Sequence, residues 1–149
     1  MNILITGNLG YVGSVLTSSF VEKSLYSENR INLIGYDLGL YSHKITGDDS
    51  VPEKFLMKQI YKDIREITAQ DLENIHIVIH LAALSNDPIG KDFESQTDEI
   101  NFQASKKLFK LCEKSNVKKF IFASSCSVYG FGGSSLKTED SSLNPLTAY

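Results

Sequence analysis

Three glycines spaced by three, Gly7, Gly10 and Gly13, follow the apolar run Ile3-Leu4-Ile5. The segment reads Gly7-Asn8-Leu9-Gly10-Tyr11-Val12-Gly13, with few side chains to shield the backbone. A strand that turns into a helix through such a segment leaves amide N–H groups pointing outward. Together with the positive end of the helix dipole they cradle a pyrophosphate. A glycine triplet alone also suits any tight turn. The strand before it and the amphipathic run after it make it a nucleotide-binding signal. Asp37 closes the next apolar run, about two dozen residues beyond Gly13. A carboxylate there accepts hydrogen bonds from the adenosine ribose and repels a 2′-phosphate, which favours NAD over NADP. Asp63, at the end of a weaker run, is placed to approach the adenine amino group. The plain alternative for both aspartates is a solvated strand end. Further on, Ser124-Ser125-Cys126-Ser127-Val128-Tyr129-Gly130 gathers hydroxyls after an apolar run, where open parallel sheets bind ligands.

Short apolar runs alternate with helical segments, the pattern of an α/β fold whose parallel sheet is covered on both faces. Strands are expected at about residues 2–5, 31–36, 58–62, 75–81 and 119–125. Helices are expected at about 11–24, where Val12, Val15, Leu16, Phe20 and Val21 fall near helical spacing, at 68–73, and at 97–114. Residues 38–53 and 85–90 read as loops, and so does the polar stretch from Gly130 to Asn144-Pro145. Right-handed crossovers give the strand order 3-2-1-4-5, an incomplete Rossmann-like doubly wound sheet. No internal repeat and no second domain are visible.

The totals narrow the classes. A chain of 149 residues suits one domain, and 42% hydrophobic with 22% charged residues is an ordinary globular composition. A formal net charge of −3 leaves no electrostatic footprint for nucleic acid. No apolar stretch approaches the roughly 20 residues that cross a bilayer, and because strand and glycine loop take up the first residues, no signal peptide is expected. Cys112 and Cys126 lie far apart, without metal-ligand or disulfide spacing, so no metal is expected and the compartment reads as cytoplasmic.

Taken together, these residues resemble the extended short-chain dehydrogenase/reductases, specifically the NAD-dependent epimerase/dehydratase group acting on nucleotide sugars. The resemblance runs the length of the chain: Thr6 to Gly13, Asp37, Asp63-Ile64-Arg65, His80-Leu81-Ala82-Ala83, Asn101, Ser124 to Gly130, and Tyr149. It implies an NAD site built from Gly7, Asn8, Leu9, Gly10, Tyr11, Val12, Gly13, Asp37, Asp63 and Ile64. Leu81, Ala82 and Ala83 would lie on the nicotinamide ribose side, and Asn101 in the cofactor pocket. It also implies Ser125 as the substrate-binding hydroxyl and Tyr149 as the catalytic base. His80 reads as a packed strand-end histidine and Cys126 as a small filler, with no base beside it in sequence.

The implied chemistry is hydride transfer from a sugar carbinol carbon to the nicotinamide. An ordinary phenol, with a pKa near 10, is only about 0.1% ionised at neutral pH. The family therefore places a lysine one helical turn after the tyrosine, and no lysine of this sequence stands in that register. The expectation is a cofactor half, truncated at the tyrosine, with later strands and substrate domain absent and no useful turnover alone. Where the family's 4,6-dehydratases carry an Asp-Glu pair, this chain has Cys126 and Ser127. That departure points to a 4-epimerase or keto-sugar reductase over a dehydratase. Glu139 and Asp140 sit in the polar loop and read as solvated. A non-catalytic dinucleotide-binding module, a flavodoxin-like protein and a homo-oligomer stay open.

Overall fold

The computed structural model describes residues 1–25, 31–40, 52–85, 93–131 and 136–149. Five parallel strands carry the fold: β1 (Asn2–Thr6), β2 (Asn32–Asp37), β3 (Lys58–Tyr61), β4 (Ile77–His80) and β5 (Lys119–Phe122), ordered β3-β2-β1-β4-β5. The expected order is therefore observed, with strand ends differing by a few residues. Most of the loops expected at 38–53 and 85–90 lie outside the described residues.

Alternation along the strands feeds two cores, one on each face of the sheet. On one face Ile3, Ile5, Leu33 and Ile79 pack under helix α1 (Tyr11–Leu25) through Leu16, Phe20 and Val21. On the other, Leu4, Ile34, Tyr36 and Val78 pack with Ile64, Ile67, Leu72, Ala104, Leu108 and Cys112. Ile64, Ile67 and Leu72 come from short 3-10 turns and their caps, and Ala104, Leu108 and Cys112 from a helical rod: α2 (Glu94–Thr97), a π-helical stretch (Asp98–Ala104) and α3 (Ser105–Glu113). The residues joining these pieces keep right-handed helical dihedrals. The expected helix at 68–73 is a single 3-10 turn, Ala69–Leu72, capped by Thr68 and Asp71.

One expectation about apolar faces needs correction. Val12 and Val15 do not belong to the buried stripe of α1; they are 61% and 66% exposed. A side chain at Gly13 would land on the Gly7 carbonyl and 2.7 Å from Asn8 Cα, so the helix approaches the loop through this bare position and Thr17. Val12 and Val15 are thereby turned outward. The Phe120-Ile121-Phe122 edge is only partly bare. Phe120 is half-buried between Phe109, edge-on at 5.5 Å, and the His80 ring, while Ile121 and Phe122 are 44% and 53% exposed. Among the described residues, no helix is long and apolar enough to cross a membrane.

Candidate functional site

The carboxyl ends of the strands bring most of the predicted residues to one rim of the sheet. Gly7 leaves β1 at φ +74°, with its N–H bonded to the Tyr36 carbonyl at 2.9 Å. A side chain there would meet the Ala82 nitrogen at 2.7 Å and the Leu81 carbonyl carbon at 2.9 Å. This close approach is what demands glycine. It seats the glycine loop directly against Leu81 and Ala82, two segments far apart in sequence. Gly10 donates to the Gly7 carbonyl at 3.1 Å, tightening the bend into α1. The first-turn amides of Tyr11, Val12 and Gly13 have no carbonyl one turn back within the helix to bind, and with bare Gly10 beside them they present donors to an anion. Leu9 points the other way, into the interior.

Asp37 holds the far side of the loop. Its Oδ2 accepts from Leu9 N–H at 3.1 Å and its Oδ1 from Gly39 N–H at 2.7 Å. Each oxygen keeps a further lone pair, so ribose hydroxyls can be accepted without breaking the loop contact. Lys62 N–H donates to the Asp37 carbonyl at 3.2 Å, bringing Asp63 alongside. The Asp63 carboxylate is engaged by Arg65 through the backbone N–H at 2.9 Å, Nε at 3.1 Å and Nη2 at 2.7 Å. That guanidinium holds the Asp63 carboxyl below the usual carboxylate range, against the opposing effect of burial. Arg65 Nη1 reaches on to Glu99 at 2.8 Å. The Ile64 side chain is buried in the core, leaving its main chain for any ligand.

Asn101 lies in the π-helical stretch, where an extra residue per turn re-aims a side chain. Its amide clamps the Leu84 peptide, accepting from the N–H at 2.8 Å and donating to the carbonyl at 2.9 Å. It thus holds the loop after β4 through that peptide. His80 is buried between two hydroxyls, Nδ1 to Thr6 Oγ1 at 2.6 Å and Nε2 to Ser105 Oγ at 2.7 Å. Burial pushes its pKa down to about 4, so the ring is neutral. Ala82 N–H donates to the same Thr6 oxygen at 3.4 Å. His80 is therefore the packed strand-end residue the sequence reading favours, and its chain of contacts stands under the glycine loop.

Ser125 follows β5 on the same rim and caps a 3-10 turn, Cys126–Tyr129, by accepting from Ser127 N–H at 3.2 Å. Gly130, at φ +59°, ends that turn, and a side chain on it would strike the Asn144 carbonyl. Asn144 N–H in turn donates to Val128 at 2.8 Å, so the tail of the chain is held against the hydroxyl cluster. Tyr149 is half-buried, and among the described residues no hydrogen bond joins it to Ser125. Cys126 is exposed, and burial raises the Cys112 thiol to about 11. Among the described residues, no group of three or more His, Cys, Asp or Glu side chains is placed to hold a metal ion. A shallow cleft of about 490 Å³, lined by Gln70, Leu72, Asn74, Lys114 and Asn116 among others, opens at the opposite end of the sheet.

Residues 3–149 match the pattern of the NAD dependent epimerase/dehydratase family. The chain belongs to this family. Among curated relatives, this epimerase/dehydratase-family chain is 30% identical over 159 residues to an uncharacterized UDP-glucose epimerase, YtcB, of Bacillus subtilis, covering all of this chain and 47% of the relative. It is 33% identical over 146 residues to the UDP-glucose 4-epimerase of Vibrio cholerae, covering 93% of this chain and 40% of that protein. The fold matches a variant of UDP-glucuronic acid 4-epimerase from Bacillus cereus, solved with UDP-4-deoxy-4-fluoro-glucuronic acid and NAD. The TM-score is 0.83 at 29% identity, over 99% of this chain and 47% of that one. The chain thus spans less than half the length of these relatives.

The sequence reading names Thr6 and Asn8 within the glycine-loop signature but misses that both side chains are buried beneath it, Thr6 with His80 and Ser105, and Asn8 with Gln59 over Gly35. The available signal was Gly35 itself, since a lone glycine within an apolar strand marks a close approach.

Proposed function

We propose that this chain is the cofactor-binding part of an NAD-dependent nucleotide-sugar enzyme of the 4-epimerase or keto-sugar reductase type. The observation that supports it best is the glycine loop, bare on its outer side and tied to Asp37 through Leu9 N–H at 3.1 Å. Gly10 fits a pyrophosphate, because a side chain there would meet only the Gly7 carbonyl at 3.3 Å and otherwise fill the open space beside the first-turn amides, while Gly7 and Gly13 are demanded by the loop's own packing. Asp37 fits an unphosphorylated ribose. When bound, NAD supplies a reversible hydride acceptor. Ser125 then holds the reacting sugar oxygen and Tyr149 takes its proton, while Asn101 keeps the loop after β4 in place through Leu84. Cys126 and Ser127 offer no carboxylate for elimination, which argues for epimerisation or reduction over dehydration. The relatives' names make UDP-hexoses the first substrates to test.

The test measures NAD and NADP binding by calorimetry, and UDP-glucose/UDP-galactose interconversion by the complete protein that carries residues 1–149 together with a substrate-binding part. NAD binding ahead of NADP is expected, with Tyr149→Phe and Ser125→Ala lowering turnover by at least about 10²-fold, the scale of a lost acid–base group. Tight NAD binding with no turnover on any nucleotide hexose would favour a non-catalytic module. Preference for FMN would overturn the dinucleotide assignment.

A further inference from the structure

Beneath the glycine loop lies a side-chain pair, Asn8 and Gln59, whose amides face each other; the sequence places Asn8 in the expected NAD site, but its side chain is turned away from it. Asn8, the second residue of the loop, is 1% exposed, so its amide is withdrawn from solvent and from any ligand above. Its Nδ2 donates to Gln59 Oε1 at 2.7 Å, and Gln59 Nε2 points back at Asn8 Oδ1 at 3.3 Å. The same Nε2 lies 3.3 Å from the Ile60 carbonyl, which fixes the Gln59 head group to its own strand. Gln59 is on β3, yet β2 lies between it and the loop. The pair meets across β2 because the intervening residue is Gly35, in register with Ile5 on one side and Gln59 on the other. A side chain at Gly35 would come within 2.6 Å of Asn8 Nδ2 and would strike Gln59 Oε1. On its other side Asn8 Cα is packed against bare Gly13, within 2.7 Å of where a side chain would begin. Asn8 is therefore gripped between two glycines and one amide partner.

We infer that the Asn8–Gln59 amide pair, seated in the space left by Gly35, sets the shape of the glycine loop, and that Gln59 is a positioning residue for the dinucleotide although it lies outside the loop. The inference rests on the proposal that this loop binds NAD. Its physical ground is the asymmetry of buried hydrogen bonds: made, they contribute modestly, but a stranded partner costs its full desolvation. With Gln59 removed, the Asn8 amide must leave its pocket to find water, dragging along the loop whose N–H groups should already point at the phosphates. Prepositioned donors bind an anion better than donors that must be reordered.

The test is a double-mutant cycle in the full chain: wild type, Asn8→Ala, Gln59→Met and the double variant, with NAD affinity and thermal unfolding measured for each. Gln59→Met keeps length and bulk while deleting the amide. It is expected to weaken NAD about tenfold. The double variant is expected to bind no more weakly than Asn8→Ala, because Gln59 then has no loop side chain to hold. Unchanged NAD affinity in Gln59→Met alongside a lowered Tm overturns the inference, as do independent, additive losses. If Gln59→Met does not fold, Gln59→Asn, which withdraws the amide by one methylene, completes the same cycle. Failure of the wild type to bind NAD overturns the cofactor reading itself and this inference with it, whereas the first two outcomes overturn this inference alone.

Discussion

His80 makes the stability of this domain depend on pH over a definable window. Its ring is sealed between Thr6 and Ser105, and burial lowers its pKa from the ordinary 6.5 to about 4. The unfolded chain therefore binds a proton between those two values while the folded chain does not. Stability rises with pH wherever the unfolded state holds more protons. The contribution of His80 is thus complete above about pH 6.5 and is lost as pH falls toward 4. Within the window the slope approaches 1.4 kcal/mol per pH unit, and the whole loss is about 3 kcal/mol. Because the ring is buried, no large discount for solvent screening applies. Asp63 and Asp71 add losses of the same sign at lower pH, since both carboxyls are held below their ordinary value of 3.8. The assay is urea unfolding at pH 7, 5.5 and 4 for the wild type and His80→Gln. The glutamine variant is expected to be less stable at pH 7 but to lose the slope between 6.5 and 4. An identical slope in both proteins would refute the assignment of that slope to His80.

Other consequences are equally specific. Gly13→Ala places a methyl group on the Gly7 carbonyl and 2.7 Å from Asn8 Cα, so NAD affinity should fall at least about tenfold, one reordered hydrogen bond's worth; undiminished binding in a titration contradicts the close approach. Asn101→Ala removes two bonds to the Leu84 peptide and should destabilise the domain by about 1–3 kcal/mol in urea melts, with faster hydrogen exchange at the Leu84 amide. Arg65→Ala breaks exposed pairs with Asp63 and Glu99 and should cost no more than about 1 kcal/mol, a larger loss pointing to a tighter role. Expressed as residues 1–149, the protein should self-associate through the exposed Ile121 and Phe122 surface in light scattering, and Ile121→Asp should reduce this.

Much of the architecture was legible in the sequence because its signals are local. Apolar runs spaced by helical segments dictate a parallel sheet, and handedness of crossover then dictates the order β3-β2-β1-β4-β5. Glycines at 7, 10 and 13 and an aspartate ending β2 are a local signal for the proposed dinucleotide loop because only certain residue types tolerate that backbone. What stayed hidden depends on residues distant in sequence. Nothing local says that Asn101 would spend its amide on Leu84, or that Arg65 would engage Asp63 and Glu99 together. Nor does helical spacing reveal that Val12 and Val15 face outward, since the contact at Gly13 sets the rotation of α1. The Asn8–Gln59 pair exists only where β2 and β3 lie in register with a glycine between. Sequence determines which backbone shapes are allowed. The tertiary fold decides which polar groups meet, because a buried donor takes whatever acceptor the packing brings within reach.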